Sequence, residues 1–98
     1  MNFTGKNVFV TGAGGYIGSF TAKEFAARGA KVTVFDRNAA GVEKTVDAIR
    51  AAGGTAIGMT GDVTSSASVD EAVKSAAEQM GGLDIMVHAA GGSARDEN

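Results

Sequence analysis

Short apolar runs alternate along the chain with longer amphipathic segments, and glycines mark most of the changes between the two patterns. The apolar runs are rich in β-branched residues, which is typical of buried parallel strands. We therefore predict strands at 8–10, 31–36, 55–59 and 83–87. The segments between them carry apolar residues at helical spacing, which predicts helices over 16–28, about 40–51 and 68–80.

Each predicted helix has an apolar side and a recognisable signal at one end. A capping box of Ser68 and Glu71 is expected at the start of the third helix, with Ser65 and Ser66 as alternative caps. Gly29 is placed to end the first helix in a left-handed conformation. The apolar positions are Ile17, Phe20, Phe25 and Ala26 in the first helix, Val42, Val46 and Ile49 in the second, and Val69, Val73, Ala76, Ala77 and Met80 in the third.

The order βαβαβαβ predicts an α/β fold of the doubly wound Rossmann type, with a parallel sheet and helices on both faces. Right-handed crossovers give the expected strand order 3-2-1-4. We assign residues 1–92 to this unit and residues 93–98 to a polar tail. The fourth strand would be an apolar edge, so the sheet looks incomplete, and we expect a further segment of the working protein to cover it.

A glycine-rich turn follows the first strand directly and opens the first helix. Its sequence runs Thr11-Gly12-Ala13-Gly14-Gly15-Tyr16-Ile17-Gly18. Glycine allows a sharp exit from the strand, close approach of the backbone to a diphosphate, and tight packing of the helix on the sheet. The helix N-terminus then supplies unpaired N–H groups to an anion. The turn predicts a dinucleotide site that involves Gly12, Gly14, Gly15, Tyr16, Ile17 and Gly18.

An acidic residue ends the second strand at the position where such folds bind the adenosine ribose. Asp36 is expected to accept hydrogen bonds from the ribose hydroxyls and to repel a 2′-phosphate. The sequence therefore favours NAD over NADP. Arg37 is the opposing signal, because a neighbouring guanidinium can hold a 2′-phosphate.

Two further segments follow the ends of later strands. A carboxylate at Asp62 could accept from the adenine amino group while Val63 positions the ring, although Asp62 could equally form a local turn or a helix cap. Residues 89–91 leave the fourth strand beside the cofactor, which adds Ala89, Ala90 and Gly91 to the predicted site. The only histidine, His88, is expected to make a backbone hydrogen bond at the strand end, since no catalytic partner for it is identifiable.

Composition excludes several other classes of function. The 98 residues are 44% hydrophobic and 20% charged, with a net charge of −2, which offers no basic surface for nucleic acid. The absence of cysteine and the single histidine argue against a metal site. No apolar stretch approaches the ~20 residues that cross a bilayer, and no signal-peptide pattern begins the chain. We therefore expect a cytoplasmic protein without a membrane partner.

These residues together resemble the short-chain dehydrogenase/reductase family. The resemblance covers nearly the whole chain up to Gly92. It is carried by Thr11-Gly12-x-x-x-Tyr16-Ile17-Gly18, Asp36, Asp62-Val63, Gly82-Leu83-Asp84 and Val87-His88-Ala89-Ala90-Gly91.

Two departures bear on the branch of the family. The common short branch has glycine where this chain has Tyr16, and the glycine spacing looks like the extended branch, which includes sugar-nucleotide epimerases and dehydratases. The short branch also has Asn-Asn-Ala-Gly where this chain has residues 88–91. The long third helix and Gly82-Leu83-Asp84 favour the short branch.

The resemblance implies an oxidoreductase that transfers hydride between NAD(H) and a small alcohol or ketone. In the family a Tyr-x-x-x-Lys pair and a serine perform catalysis, all further along than residue 98. Tyr16 cannot replace that tyrosine, because Phe20 and not lysine lies four residues on. We therefore predict no catalytic residue here, a dependence on a C-terminal part of the enzyme, and a homo-oligomer. The alternatives are a non-catalytic nucleotide-binding module and an extended-branch fragment.

Overall fold

The computed structural model of the chain describes residues 2–89. Strands and helices alternate along this part of the chain, as the pattern predicts. The elements are β1 (Asn7–Thr11), α1 (Tyr16–Ala27), β2 (Lys31–Asp36), α2 (Ala39–Ala51), β3 (Thr55–Thr60), α3 (Ser66–Met80) and β4 (Ile85–His88).

The four strands form one parallel sheet in the order β3-β2-β1-β4, which confirms the predicted fold class and strand order. β1 lies in the middle and pairs with β4 from Val8↔Ile85 to Thr11↔His88. β4 begins two residues later than predicted. Asp84 precedes it, and one carboxylate oxygen of Asp84 accepts a hydrogen bond from the Asn7 N–H at 2.8 Å. A side chain therefore binds an amide that a strand partner would otherwise use.

The sheet has a different hydrophobic cluster on each face. Alternate residues of β1 and β2 point to opposite faces, as the period of two in a strand requires. One cluster joins Val8, Val10, Val32, Val34 and Ala56 to α1 and α2. The other joins Phe9 and Phe35 to Ala76 of α3, with Met59, Val69, Ala72, Val73 and Leu83 partly buried around them. Two helices thus cover one face and one helix covers the other.

The apolar face predicted for α1 is wrong in part. Ile17 and Phe20 are 57% and 63% exposed, whereas the buried residues of α1 are Gly18, Ala22 and Ala26. A Cβ at Gly18 would overlap the carbonyl oxygen of Gly12. The helix therefore meets the sheet through its smallest residues, which turns the larger apolar side chains outward.

The start of α3 follows the alternative cap and not the predicted box. Ser65 is the N-cap, and its hydroxyl accepts the Ser68 N–H at 3.2 Å. The hydroxyl of Ser68 instead accepts the N–H of Asp62 at 3.0 Å. Of the predicted inner face only Ala76 is fully buried. Because α3 lies alone on its face within residues 2–89, the other apolar residues are only partly covered.

Glycine ends the first and third helices in the left-handed conformation, as predicted for Gly29 (φ 97°) and as found at Gly81 (φ 81°). The predicted inner face of α2 is also confirmed, because Val42, Val46 and Ile49 are buried. Within residues 2–89, none of the helices combines the length and the apolar character that crossing a membrane requires.

Two glycines of the turn allow a matched test of this packing. Gly18→Ala places a methyl group against the Gly12 carbonyl, and overpacking of this kind costs about 1–3 kcal/mol. Gly15→Ala is the control, because its nearest atom would be 3.5 Å away. We expect urea unfolding to show lower stability for Gly18→Ala alone. Equal midpoints for the two variants would contradict the proposed closeness of α1 to the sheet.

Candidate functional site

The carboxyl ends of the four strands lie at one edge of the parallel sheet, so the segments that follow them come together. The glycine turn follows β1, and Ala89 follows β4. Asp36 and Arg37 lie at the end of β2, and the segment with Asp62 follows β3. Ala90 and Gly91 lie outside the described residues, as do residues 93–98.

The N-terminus of α1 has no side-chain cap, unlike those of the other two helices. Its N-cap residue is Gly15, which has no side chain to offer. Asn38 caps α2 by accepting the Gly41 N–H, and Ser65 caps α3. The first amides of a helix require a partner from outside the helix. At α1 that partner has to come from water or from a ligand.

The hydrogen bonds of the turn show which amides remain available. Ala13 N–H donates to the Phe35 carbonyl at 3.0 Å, and Gly15 N–H donates to the Gly12 carbonyl at 3.1 Å. Gly14 N–H donates to Oδ2 of Asp36 at 3.0 Å.

The amides of Tyr16, Ile17 and Gly18, in the first turn of α1, lack such partners. None of them has an acceptor within residues 2–89. Gly14 and Gly15, which the sequence also assigned to the site, lie beside these amides, but their own N–H groups already have acceptors within the protein. Free amides at the positive end of a helix form a site for an anion.

Close backbone contacts explain why the turn requires glycine at some positions and not at others. Gly12 has φ 69°, and a Cβ there would overlap the carbonyl oxygen of Ala89. A Cβ at Gly14 would lie 3.0 Å from Cβ of Asp36 and 3.2 Å from the carbonyl carbon of Gly41. Gly15 has no such contact. The turn is thus packed against Ala89, Asp36 and α2, while a Cβ at Gly15 would make only an ordinary contact with the Gly12 carbonyl oxygen, at 3.5 Å.

Asp36 contacts the glycine turn and the start of α2 at the same time. Its Oδ2 accepts the Gly14 N–H, and its Oδ1 accepts the Asn38 N–H at 3.0 Å. An ionised carboxylate can accept about four hydrogen bonds, so each oxygen keeps acceptor capacity. The two backbone bonds fix the orientation of the carboxylate without saturating it.

Asp62 adopts the local-turn arrangement that the sequence offered as an alternative. Its Oδ1 accepts the Thr64 hydroxyl at 2.7 Å and the Thr64 N–H at 2.9 Å. These bonds, first that of the hydroxyl, lower the pKa of Asp62, and the Arg37 guanidinium lowers it further. Arg37 and Asp62 follow the ends of two neighbouring strands, β2 and β3. The predicted adenine contacts of Asp62 and of the half-exposed Val63 remain predictions.

The imidazole of His88 bonds to a side chain, whereas a backbone hydrogen bond was expected. Its Nδ1 lies 3.2 Å from the hydroxyl oxygen of Thr11 on the neighbouring strand. The Ala89 N–H donates to the Thr11 carbonyl at 3.2 Å, which extends the pairing of β1 and β4 by one residue. Thr11, at the start of the glycine turn, is therefore hydrogen-bonded to the end of β4 through both its side chain and its backbone.

Two residues of α2 that the motif does not include also contact the turn. The Thr45 hydroxyl donates to the Ala13 carbonyl at 2.9 Å, and Gly41 lies against Gly14. The available signal was a glycine in a helical pattern, which is unfavourable unless packing demands it. An open groove of about 430 Å³ runs between α1 and α2 beside these residues, and Lys23 and Lys44 are among its lining residues.

The chain belongs to the short-chain dehydrogenase family. The family model described as short chain dehydrogenase matches residues 6–98. This match over nearly the whole chain confirms the resemblance seen in the sequence.

Curated relatives and solved structures agree with this assignment. An uncharacterized oxidoreductase of Thermotoga maritima is 45% identical over 91 residues, which cover 93% of this chain and 36% of the relative. A 2,3-dihydro-2,3-dihydroxybenzoate dehydrogenase of Bacillus subtilis is 38% identical over 87 residues, 89% of this chain and 33% of the relative. The crystal structure of a hydroxysteroid dehydrogenase from Escherichia coli superimposes with a TM-score of 0.86 at 37% identity, covering 89% of this chain and 37% of that one. The chain thus spans about a third of the length of these proteins.

The Asp62 turn gives a prediction about pH. Because the pKa is lowered in the folded state, the turn stabilises the fold above about pH 4, and this stabilisation is lost as the pH falls through the lowered value. Thr64→Val removes the hydroxyl bond and keeps the backbone bond. We expect NMR titration of the Asp62 carboxyl carbon to show a higher pKa in this variant. Thr55→Val, at the opposite end of β3, is the control. An unchanged pKa in Thr64→Val would show that the hydroxyl is not the main cause.

Proposed function

We propose that this chain is the dinucleotide-binding part of an NAD(P)-dependent oxidoreductase, with NAD as the preferred cofactor. The observation that carries the proposal is the uncapped N-terminus of α1. Three free amides at residues 16–18 lie at the carboxyl edge of the sheet, where ligands of this fold bind. In a family of oxidoreductases, the anion that suits such a site is the cofactor pyrophosphate.

The residues fit the group in shape as well as in charge. The amides of Tyr16, Ile17 and Gly18 would donate to the pyrophosphate, and Gly15 leaves room for its approach because no Cβ stands there. Asp36 would accept from the ribose hydroxyls with the lone pairs that its two backbone bonds leave free. When bound, the nicotinamide supplies the hydride chemistry. The residues of this chain bind and orient the cofactor.

The preference for NAD follows from charge at the end of β2. A 2′-phosphate beside Asp36 would meet a carboxylate that the Gly14 and Asn38 amides hold in one orientation. Arg37 supports NADP less well, because the carboxylate of Asp36 occupies the ribose position itself. We therefore assign Arg37 a secondary role at the rim of the adenosine site.

The remaining functional groups would come from a further part of the enzyme. β4 is the edge of the described sheet, and Met86 on it is 38% exposed. Another parallel strand and its helix would cover this edge. The same part of the enzyme would bind the alcohol or ketone substrate and supply the catalytic side chains. The relatives are about two and a half times as long as this chain, which agrees with such an arrangement. We further propose a cytoplasmic, homo-oligomeric enzyme.

A comparison of the two cofactors tests the assignment of Asp36. Asp36→Asn removes the negative charge but keeps an oxygen that can accept the Gly14 N–H. We expect calorimetric titration to show about a tenfold fall in the ratio of NAD to NADP affinity, equivalent to ~1.4 kcal/mol. The change should come from stronger NADP binding as well as weaker NAD binding.

Asp47→Asn on α2 is the matched control, since Asp47 is exposed and outside the site. It should leave both affinities unchanged. If the unsubstituted chain binds NAD and NADP equally, and Asp36→Asn does not alter this, then Asp36 does not hold the ribose. If the chain binds neither cofactor, the proposed function itself is wrong.

A further inference from the structure

We propose that Thr45 and Gly41 of α2 are positioning residues that hold the glycine turn in the shape needed to bind a dinucleotide pyrophosphate. The nature of the ligand rests on the proposed function. The contact itself rests only on the structure. Neither residue belongs to the glycine motif, and both lie more than twenty residues beyond it in the chain.

Thr45 makes an unusual hydrogen bond for a threonine inside a helix. The side chain of such a residue either points to solvent or bonds to the carbonyl four residues earlier in its own helix. Thr45 instead donates its hydroxyl to the carbonyl of Ala13, 32 residues back, at 2.9 Å. The side chain is 3% exposed and the bond is buried. A buried carbonyl that loses its donor is costly, so this bond constrains the turn strongly.

Gly41 lies one helical turn before Thr45 and faces the same part of the molecule. Glycine destabilises a helix relative to alanine, so its presence in α2 calls for a local reason. A Cβ at this position would lie 2.6 Å from the carbonyl oxygen of Gly14 and 3.0 Å from its Cα. The backbones of α2 and the turn are therefore in direct contact, and any side chain at position 41 would push the turn away.

The two contacts fix the turn immediately before the free amides. Ala13 uses its N–H on Phe35 and its carbonyl on Thr45. Gly14 uses its N–H on Asp36, whose other oxygen binds Asn38 at the start of α2. The free amides begin only two residues later, at Tyr16. Donors that are held in place before binding give higher affinity, because less order has to be created when the ligand arrives.

Ligands with and without the pyrophosphate test the proposal. Thr45→Val removes the hydroxyl at nearly constant volume, and Gly41→Ala introduces the overlapping methyl group. For each variant of the chain we would measure the affinity for NAD and for adenosine by calorimetry. We expect each substitution to weaken NAD binding about tenfold and to change adenosine binding by less than about twofold. Thr45→Ser, which keeps the hydroxyl, should restore NAD binding.

Thr21→Val is the matched control. Thr21 is also a threonine inside a helix, but its hydroxyl donates within α1, to the Ile17 carbonyl four residues earlier, and not to Ala13 or Gly14. This variant should keep the original NAD affinity. If Thr45→Val and Gly41→Ala both bind NAD as the original chain does, or lose adenosine to the same degree, the positioning role is wrong. Should Thr45→Val fail to fold, Gly41→Ala and Thr45→Ser carry the test.

Hydrogen exchange of the unliganded chain separates this proposal from the proposed function. The amides of Ala13 and Gly14 are bonded, and α2 should protect those bonds. We expect Thr45→Val to speed their exchange about tenfold relative to the core amide of Val34, and Thr21→Val to leave it unchanged. Unchanged exchange in Thr45→Val overturns the inference. If Thr45→Val speeds the exchange but the unsubstituted chain binds no NAD, the contact between Thr45 and the turn is supported and the dinucleotide is rejected as the ligand.

Discussion

The close approach of Gly18 to the carbonyl of Gly12 determines how the rest of the site is arranged. Any larger residue at position 18 would force α1 away from the end of β1. With glycine there, the helix begins directly at the edge of the sheet, and its first amides point to the edge where the other strands end. The binding site is thus a consequence of a packing contact between two backbones, and side chains contribute mainly at its rim.

The same contact explains which parts of the fold could be predicted from the sequence. β1, β2 and α2 were predictable because most of their buried residues are large, and large apolar residues at regular spacing identify a buried face. α1 has its smallest residues against the sheet, so Ile17 and Phe20 misled the prediction although the position of the helix was right. The cap of α3 was ambiguous because three serines occur within residues 65–68 and only the fold decides between them. The hydroxyl of Ser65 accepts a helix amide, while that of Ser68 accepts the Asp62 N–H.

The candidate site could also be predicted only in part. The glycine turn and Asp36 could be found because their chemistry appears as a local pattern after a strand. Which amides are bonded and which stay free could not be predicted, because this depends on partners that are distant in the chain. Asp36 accepts the Gly14 N–H from 22 residues away, and Thr45 donates to the Ala13 carbonyl from 32 residues away. Spacing along the chain predicted which segments meet. It carried no information on which donors remain free after they have met.

The central claim is that the free amides of Tyr16, Ile17 and Gly18 bind the pyrophosphate of a dinucleotide. An NMR titration of the isotopically labelled chain with NAD, followed through the backbone amide signals, tests it most directly. We expect these three signals to shift strongly with NAD, and we expect adenosine, which lacks phosphate, to leave them in place. Saturable binding of NAD with no change at residues 16–18 would contradict it.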